Sequence, residues 1–522
     1  MAVRTSFVRS SPPALRWLTV LAAVLLALAP IPRLSGPASA APLANEGILT
    51  PGPHAELHAA ADRFVSTSGE DDNWSAAFTA ANSPNGPVNA IAISGTVVYV
   101  GGSFSAVAGV SANNVARWNG SAWSAVGGPA TNGVDGTVYA IAVAADGGIY
   151  VGGAFNQAGA ASANNIARWN GSAWSALGAG ANNGVNDTVN AIAVHGSDVY
   201  FGGYFSAAGG DAGISYIARW NGSAWSAVGG GVNSYVFAAA ADASGRVYVG
   251  GDFDMAGGAA ANRIGRWSEV SGWEALGDGF NGRVKTIAVR GTAVYAGGEF
   301  SDTAGGSPVS VNRIAVWDGA GWSALGQGVD NHVRAIAVSA DGRLVYAGGS
   351  FIQATDAGGA SKTVNRIALW DNDASAWATL GSGVGGLSGS RVNALAVGSL
   401  FVGGYFTQAG GKSSYYCAQW SQPGGLTTVT DLRISRSGND AVLAWSPAAG
   451  PVHHYEIYRE AAPYFSPATP LTTTVVAGYN DANVIPQATS HYYAVRAADA
   501  GGQTSGISNR VGKFTFTLTP GQ

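Results

Sequence analysis

Histidine, cysteine and clustered carboxylates carry most enzyme chemistry and most metal binding, and this chain of 522 residues contains few of them. Its seven histidines are His54, His58, His195, His332, His453, His454 and His491. Only His195 and His332 fall in the repeated part of the sequence described below, at a turn between strands and in a loop between repeats. Neither has a cysteine or an acid at the spacing of metal ligands, so we interpret both as structural or surface side chains.

Cysteine chemistry is equally limited, because Cys417 is the only cysteine. One cysteine can form neither an internal disulfide nor a zinc site built from cysteines. We interpret Cys417 as a small buried apolar side chain. Since the residues of a catalytic site are missing, we expect no enzymatic activity.

Two oxygen-rich segments are candidates for calcium binding. Residues 132–135 read Asn-Gly-Val-Asp, and residues 182–187 read Asn-Asn-Gly-Val-Asn-Asp. Neither carries the number of acids found in an EF-hand loop. We therefore expect no cofactor, with calcium at these two segments as the alternative.

The strongest pattern in the sequence is a Gly-Gly-x-Phe element that recurs seven times, at steps of 51, 50, 48, 47, 51 and 55 residues. The glycine pairs begin at Gly101, Gly152, Gly202, Gly250, Gly297, Gly348 and Gly403. A tryptophan follows each pair: Trp118, Trp169, Trp220, Trp267, Trp317, Trp370 and Trp420. Self-similarity at such a period is typical of repeat architectures. Glycine, which lacks a Cβ, allows the close backbone approach that crowded inner strands need.

Each repeat contains four strand-like runs separated by turn residues. In the second repeat these runs are residues 138–143, 148–152, 165–169 and 173–177, and Asn170-Gly171 forms a hairpin turn between the last two. Four short antiparallel strands in about 50 residues are the pattern of a propeller blade. The sequence therefore predicts an all-β protein with a seven-bladed β-propeller over residues 73–423.

The position of the tryptophans predicts how the ring closes. A second tryptophan, on the fourth strand, occurs in six repeats: Trp123, Trp174, Trp225, Trp273, Trp322 and Trp377. The seventh repeat lacks it, whereas Trp74 precedes the first repeat in a matching context. We expect the N-terminal strand around Trp74 to complete the last blade beside Trp420, which leaves no open sheet edge. The repeated aromatic residues then pack between blades.

These features resemble the kelch and galactose-oxidase-central-domain class of propellers over roughly residues 73–423. The resemblance rests on Tyr-Val-Gly-Gly after a β run, as at Tyr99 to Gly102, followed by Trp118 and Trp123. The first aromatic is tryptophan here, where kelch repeats usually carry tyrosine. The copper site of galactose oxidase needs a tyrosine modified by cysteine, and Cys417 lies in a third strand, so the resemblance does not extend to oxidase activity.

The last part of the chain, residues 424–522, loses the repeat. Its β-type runs are residues 427–435, 441–445, 454–459 and 492–497. The order of Trp445, Tyr455 and Tyr458 looks like a fibronectin type III domain over residues 425–515, which implies a β-sandwich. Such modules usually act as spacers or adhesion units.

The N-terminus reads as an export signal. Arg4, Arg9 and Arg16 precede an apolar run over residues 17–29, and Ala38-Ser39-Ala40 offers a cleavage site. We predict a signal peptide over residues 1–40 and a flexible leader over residues 41–72. The alternative is a membrane anchor, but the apolar run is shorter than the ~20 residues that span a bilayer. The mature chain is then expected to have no membrane span and to be secreted or associated with the cell surface.

The net charge of the mature chain argues against some classes of binding partner. Loss of residues 1–40 leaves 23 of the 27 basic side chains and all 31 acidic ones, a net charge of −8. This balance argues against a nucleic acid, which binds a basic patch, and against docking on an anionic membrane.

The long loops of the repeats share one face of the predicted propeller, and variable loops on a rigid frame are the usual place of binding. Candidate binding residues on these loops are Asp252, Asp254, Arg263, Glu299, Asp302, Arg313 and Arg366. We expect a monomeric, non-catalytic binding or scaffold protein whose partner is an extracellular glycan or surface protein. The alternatives are an enzyme acting on polysaccharides, as a hydrolase or lyase, and a purely structural component of the cell envelope.

Overall fold

The computed structural model describes residues 70–129, 131–421, 429–448, 452, 454–461, 469–485, 490–498, 505 and 507–513. The predicted signal peptide and residues 41–69 of the predicted leader lie outside these ranges. All regular structure in them consists of β-strands and three short 3-10 helices, Asp71–Asn73, Ala80–Asn82 and Gly180–Asn182. The prediction of an all-β protein is confirmed for this part of the chain.

Seven antiparallel sheets follow one another over described residues 88–420, and in each the chain meanders outward from the first strand. Sheet 1 consists of Val88–Ser94, Val97–Gly102, Val115–Trp118 and Trp123–Ala125. Sheet 2 consists of Thr137–Val143, Ile149–Ala154, Ile166–Trp169 and Trp174–Ala176. Sheet 3 consists of Val189–His195, Asp198–Gly203, Ile217–Trp220 and Trp225–Ala227.

The later sheets have the same plan. Sheet 4 consists of Val236–Ala241, Val247–Gly251, Ile264–Ser268 and Gly272–Ala275. Sheet 5 consists of Val284–Arg290, Ala293–Gly298, Ile314–Trp317 and Trp322–Ala324. Sheet 6 consists of Val333–Val338, Leu344–Gly349, Ile367–Asp371 and Ala376–Ala378. Sheet 7 consists of Arg391–Ala396, Leu400–Tyr405 and Cys417–Trp420.

Small hairpins decorate the loops between second and third strands. They pair Ala106–Val107 with Val110–Ser111, Gln157–Ala158 with Ala161–Ser162, Met255–Ala256 with Ala259–Ala260, Gln353–Thr355 with Ser361–Thr363, and Gln408–Ala409 with Lys412–Ser413. Gly328–Val329 and Val384–Gly385 add a third strand to the last two. These loops are therefore ordered extensions of the sheets.

The seven first strands form a ring. Each contacts the first strand of the next sheet, and the first strand of sheet 7 contacts that of sheet 1. The first glycine of every pair lies against a valine of the next sheet, so that an added Cβ would overlap the valine Cγ1. The distances from this Cβ to the valine are 2.5 Å at Gly101, 2.5 Å at Gly152, 2.2 Å at Gly202, 2.5 Å at Gly250, 2.6 Å at Gly297, 2.4 Å at Gly348 and 2.5 Å at Gly403. The glycines thus permit close packing of neighbouring sheets.

A second set of contacts joins the sheets at their outer edge. Each fourth-strand tryptophan donates its indole N–H to a carbonyl next to the preceding sheet. The acceptors are Leu380 for Trp74 (2.8 Å), Asn82 for Trp123 (3.2 Å), Val126 for Trp174 (3.0 Å), Leu177 for Trp225 (3.2 Å), Val228 for Trp273 (2.8 Å), Leu276 for Trp322 (2.8 Å) and Leu325 for Trp377 (3.0 Å). Trp74 therefore occupies the place of the missing tryptophan of sheet 7.

The N-terminal segment pairs with the end of the repeats, as the tryptophan pattern predicts. Trp74 forms an antiparallel bridge with Trp420, and their ring centroids are 5.1 Å apart. The pairing begins before the predicted boundary at residue 73, because Glu70 accepts hydrogen bonds from Thr379 and Gly381. A ring of radial sheets closed in this way is the architecture of a β-propeller.

Two further sheets follow. One contains Arg433–Ser437, Asp440–Ala444 and Gly478–Asp481, and the other contains Thr472–Thr474, His454–Glu460, His491–Ala498 and Val511–Lys513. Leu443 of the first sheet and Tyr455 and Val495 of the second share one buried cluster, which also contains Trp445. Asp481 joins the two sheets, since it accepts hydrogen bonds from Arg459 (2.7 Å) and Tyr493 (2.6 Å).

A bilayer-spanning helix, which would have to be long and apolar, does not occur in the part of the chain that the structure describes.

Candidate functional site

The first strand of every sheet carries a β-bulge at the same place, and the bulged residues surround the central opening of the ring. In sheet 1, Val88 pairs with Gly102 and Ala90 with Gly101, so Asn89 between them is the extra residue. The equivalent residues are Asn89, Tyr139, Asn190, Phe237, Lys285, Arg334 and Asn393. Bulges change the direction of a side chain and are common beside functional sites. We call these seven residues and their neighbours the channel mouth, which lies on the face of the long loops.

Part of the channel mouth carries amides and hydroxyls, and we call Asn89, Asn393, Ser103 and Thr137 the amide sector. Asn393 donates to the Asn89 side-chain oxygen (3.1 Å) and Asn89 donates to the Val138 carbonyl (3.2 Å), so the asparagines bridge adjacent sheets. The hydroxyls of Ser103 and Thr137 lie 2.9 Å apart. Such groups both donate and accept hydrogen bonds.

The next part carries exposed rings, and we call Tyr139, Tyr204, Tyr235 and Phe237 the aromatic sector. Tyr204 contacts Tyr235 edge to face, with 4.7 Å between centroids, and Phe237 at 5.9 Å. Tyr139, Tyr204 and Tyr235 are 40%, 37% and 43% exposed, although large aromatic side chains usually bury their rings. The sector offers ring surface to solvent at the end of the channel.

The third part carries cations, and we call Arg283, Lys285, Arg334 and Arg391 the cationic sector. Arg283 binds Asp252 (2.9 Å) and lies 3.7 Å from Glu299, and Lys285 lies 3.5 Å from the same glutamate. The hydrogen bond to Asp252 raises the pKa of Arg283. Burial lowers the pKa of Lys285, and the charge of Glu299 opposes this shift. The Lys285 ammonium also sits 3.6 Å from the centroid of Phe237, which joins the cationic and aromatic sectors.

Two of these cations have no carboxylate partner within ion-pair distance among the described residues. Arg334 donates to the Ser350 hydroxyl at 3.4 Å, and Arg391 lies over the ring of Tyr405 at 5.1 Å. Arg334 is reached by solvent yet has protein on several sides, and this desolvation, together with the charge of Arg391, lowers its pKa. The two guanidinium groups therefore add positive potential to the channel mouth.

His332 borders the cationic sector. Its Nδ1 atom lies 4.0 Å from the Glu299 carboxylate, an acid that is 33 positions away in sequence and close in space. Burial lowers the pKa of His332, and the nearby glutamate opposes the shift only in part. The imidazole is thus neutral at neutral pH and can accept or donate a hydrogen bond.

Two of the residues predicted from the sequence, Asp252 and Glu299, lie at this site. Both follow a glycine pair, at the end of a second strand, and Arg283 bridges them. Asp252 and Glu299 position Arg283 and Lys285, the two cations of sheet 5. A third predicted residue, Arg263, lies 3.7 Å from Asp252.

Arg263, Arg313 and Arg366 occupy equivalent loop positions with φ of 66°, 74° and 70°, in the left-handed region. Their side chains turn back onto the backbone. Arg263 donates to the Phe253 carbonyl (3.1 Å), Arg313 to the Phe300 carbonyl (2.9 Å) and Arg366 to the Ser390 carbonyl (3.1 Å). These three arginines hold the long loops in place.

Asp254 and Asp302 belong to a repeated contact between loops. An asparagine or aspartate ahead of each first strand accepts backbone N–H groups from the loop after the glycine pair. The acceptors in sheets 1 to 6 are Asn85, Asp135, Asn186, Asn233, Asn281 and Asp330. Asp254 and Asp302 accept hydrogen bonds from Asn233 (2.6 Å) and Asn281 (3.2 Å) of this set.

The two segments considered for calcium take part in the same contacts. Asp135 accepts from Asn156 (2.8 Å) and Gln157 (2.9 Å), and Asn186 accepts from Ser206 (2.9 Å). Over the described residues there is no group of three or more His, Cys, Asp or Glu side chains that could hold a metal ion.

Sequence reasoning missed most of the channel mouth, including Lys285, Arg334, Arg391 and the tyrosines. One signal was present in the repeats. The residue after the first valine of each first strand is asparagine in three sheets, where it bridges to the next sheet, and is Tyr139, Phe237, Lys285 or Arg334 in the other four. In these four sheets a large side chain replaces the asparagine that bridges two sheets. The replacement indicates that the residue has a role other than holding the sheets together.

A comparison with known protein families supports the propeller fold. A sequence model of the Rax2 C-terminal beta propeller domain matches residues 67–238. No protein of established function in the curated set matches this chain.

Solved structures give weaker likenesses. The extracellular domain of a B. thetaiotaomicron protein, described as a hybrid two component system, is 10% identical with a TM-score of 0.43, over 71% of this chain and 44% of that one. A second structure, described as a one component system, is 10% identical with a TM-score of 0.44, over 83% and 53%. A chain of the Mitotic Checkpoint Complex is 14% identical with a TM-score of 0.40, over 66% and 90%. This chain thus spans about half the length of the first two. Its repeats are of the β-propeller kind and, over residues 67–238, are similar to the C-terminal propeller of Rax2.

Proposed function

We propose that this protein is an extracellular binding or scaffold protein, and that the channel mouth of its propeller contacts the ligand. The observation that carries the proposal is that the channel mouth combines exposed tyrosines with two arginines that, among the described residues, have no carboxylate within ion-pair distance. Concave sites with exposed aromatic rings and a few convergent polar groups are the usual binding sites of proteins. The partner is a glycan or a surface protein.

The finer architecture is part of the proposal. Each of the seven sheets is one blade, of the general kelch and galactose-oxidase type, and the Trp74 strand closes the last blade. The two C-terminal sheets form a β-sandwich of fibronectin type III type, a spacer that holds the propeller away from its attachment. Residues 1–40 are removed on export, and the mature protein is a secreted or surface-associated monomer without cofactor.

The alternative, an enzyme that acts on polysaccharides, depends on Asp252 and Glu299. Glycoside hydrolysis needs two carboxylates that flank the bond to be cleaved. Here Asp252 is held by Arg263 and Arg283, and Glu299 by Arg283 and Lys285. A carboxylate engaged by two cations suits an anchoring role, which favours binding.

The test is an array of glycans and surface proteins probed with the purified mature chain, residues 41–522. We expect binding to at least one component, and a loss of at least tenfold in affinity for Tyr235→Ala, because 43% of this side chain faces solvent at the site. Val270→Ala is the control, since Val270 is 98% exposed in a turn of the same sheet on the opposite face. Equal binding by both variants would exclude the channel mouth as the binding surface.

Turnover of a polysaccharide panel separates the enzyme alternative from binding. We expect no product with the wild-type chain. Product formation that Glu299→Gln or Asp252→Asn abolishes, with binding retained, would replace the binding proposal by the enzymatic one.

A further inference from the structure

The charge of the channel mouth differs in sign from that of the chain. The whole protein carries a formal net charge of −4, whereas the cationic sector places four cations against the two carboxylates of Asp252 and Glu299. Both carboxylates form ion pairs with the sheet 5 cations, whereas among the described residues no carboxylate lies within ion-pair distance of Arg334 or Arg391, and Glu299 acts on Arg334 only at longer range. A local excess of positive charge in a protein of opposite sign favours an anionic group.

These two arginines are also neighbours. Arg391 begins the first strand of sheet 7, and Arg334 is the bulged residue of the adjacent sheet 6. The charge of Arg391 contributes to the lowered pKa of Arg334. An anion between them would relieve this repulsion and accept hydrogen bonds from two planar guanidinium forks.

The amide sector and the aromatic sector indicate which kind of molecule carries the anionic group. The amide sector presents groups that both donate and accept hydrogen bonds, as sugar hydroxyls do. The aromatic sector presents rings whose negative faces attract weakly positive C–H groups, such as those on one side of a pyranose ring. An acidic peptide would satisfy the arginines but would use neither sector fully.

We infer that the channel mouth binds an acidic saccharide, a sugar that carries a carboxylate or a sulfate ester. The anionic group lies between Arg334 and Arg391. The asparagines of sheets 7 and 1 are next to Arg391 and bind sugar hydroxyls, and the sugar rings extend across the central opening towards Tyr235 and Tyr204. The inference rests on the proposed function, since it names the ligand class for the same surface.

The experiment uses the full mature chain and four probes: an oligogalacturonate, its carboxyl-reduced neutral form, a sulfated oligosaccharide of similar length, and a poly-glutamate peptide. Calorimetric titration should show binding of the oligogalacturonate, the sulfated oligosaccharide or both, at least tenfold tighter than the neutral form. Comparison of the oligogalacturonate with the sulfated oligosaccharide shows whether the anionic group is a carboxylate or a sulfate ester. Arg334→Gln with Arg391→Gln should abolish this preference.

The matched control is Arg290→Gln. Arg290 ends the strand that contains Lys285 and lies at its opposite end, on the face of the short turns. Its substitution removes one positive charge away from the site, and it is compared with Arg334→Gln and Arg391→Gln made singly as well as together. We expect this variant to bind as the wild type does.

The outcomes separate the two proposals. Equal affinity for the acidic and neutral saccharides, with loss on Tyr235→Ala, overturns the acidic class and leaves the proposed function standing. Tighter binding of poly-glutamate than of any saccharide overturns the saccharide class. If Arg290→Gln weakens binding as much as the double variant, the effect is one of net charge and the assignment of the site is wrong. Failure of Tyr235→Ala to affect any ligand found on the array removes the proposed function as well.

Discussion

Gly348 and Val392 illustrate how single residues set the distance between neighbouring sheets. The first glycine of each pair leaves room for a valine from the next sheet, and the valine fills that room with its Cγ1 methyl. The sequence predicts that these glycines allow close approach of crowded inner strands. The structure identifies the neighbour of the first glycine as a valine of the adjacent sheet, which a pattern of glycines alone does not specify.

Gly348→Ala tests this packing. The new Cβ would lie 2.4 Å from Val392 Cγ1 and 2.9 Å from Val392 Cβ, so the two sheets must move apart or the valine must leave its rotamer. We expect the free energy of unfolding in urea to fall by about 1–3 kcal/mol, the usual cost of overpacking. Gly306→Ala is the control, because no atom lies within 4 Å of its added Cβ, and we expect a change below about 0.5 kcal/mol. Equal effects would disprove the packing role.

Asp242 is a buried carboxylate whose charge depends on its hydrogen bonds. Only 4% of its side chain is exposed. Burial by itself raises its pKa, but the N–H groups of Arg246 and Ser244 and the Arg246 guanidinium outweigh burial and hold the pKa below the ordinary value of 3.8. Because the folded state binds this proton less readily, the carboxylate stabilises the fold above that value, and the contribution is lost as the pH falls through the lower, folded pKa.

Asp242→Asn should therefore lower the free energy of unfolding at pH 7 by about 1–3 kcal/mol, since an amide accepts these hydrogen bonds less strongly. The difference from the wild type should shrink as the pH falls below the ordinary value of 3.8, because the folded carboxyl, whose pKa is lowered, then begins to gain its proton. Denaturant titrations at pH 7 and pH 3 measure both values. A difference that stays constant would show that the charge contributes nothing, and Asp373→Asn, with a side chain 75% exposed, serves as the control.

Among elements, the N-terminal segment around Trp74 is held by residues that are far from it in sequence. Trp74 is 1% exposed, donates to the Leu380 carbonyl and packs against Trp420. Ser75 donates to the Gln419 carbonyl at 2.9 Å, and Lys412 donates to the carbonyl of Trp74. At the outer edge of the ring this segment connects the two ends, whereas at the inner edge the first strands of sheets 7 and 1 are in contact.

Trp74→Ala should destabilise the protein by about 3–5 kcal/mol, the usual cost of removing a buried tryptophan side chain. Trp74→Phe should cost less, because it keeps the ring packing and loses the indole hydrogen bond. Trp225→Ala removes an equivalent indole hydrogen bond, 3.2 Å long, inside a continuous sheet and controls for that bond. Thermal and denaturant unfolding measure the changes. If Trp74→Ala costs no more than Trp225→Ala, closure contributes little to stability.

The elements were predictable to different degrees, for physical reasons. Period-two alternation and Asn-Gly turns fix the strands and hairpins locally, so the strand order within each sheet agrees with the sequence. The missing tryptophan of the last repeat predicted the bridge between Trp74 and Trp420. The bulges were not predictable, because a single extra residue leaves the alternation on either side intact. The fixed repeat position after the first valine groups the seven bulged residues in the sequence, but it does not show that their side chains turn towards the central opening.

On the scale of the whole molecule, the net charge is negative, whereas the channel mouth carries an excess of positive charge. The acidic chain repels an anionic ligand at long range, and the cationic sector attracts it once it reaches the channel mouth. Screening by salt weakens both effects, but the attraction is closer and dominates the affinity. The net charge predicted for the mature chain did not indicate a cationic site, because a sum of charges contains no information on where the charges lie.

Binding of an anionic oligosaccharide should therefore weaken as salt rises. Between about 50 and 500 mM NaCl we expect the Kd to increase at least several-fold, as screened ion pairs predict. The residual binding at high salt, due to the aromatic sector, should disappear with Tyr235→Ala. A Kd that does not respond to salt would contradict a role for Arg334 and Arg391.

The pairing of Trp74 with the last sheet also constrains how the protein is made. Lys412 and Trp74, which bind each other, are 338 positions apart in the chain. At ribosomal rates of about 5–20 residues per second, the earliest strand of the ring waits roughly 17 to 70 s for its partner. During that time the nascent chain carries an unpaired edge that can join other chains. We therefore expect a product that terminates before its final repeat to aggregate or to be degraded more readily than the full chain.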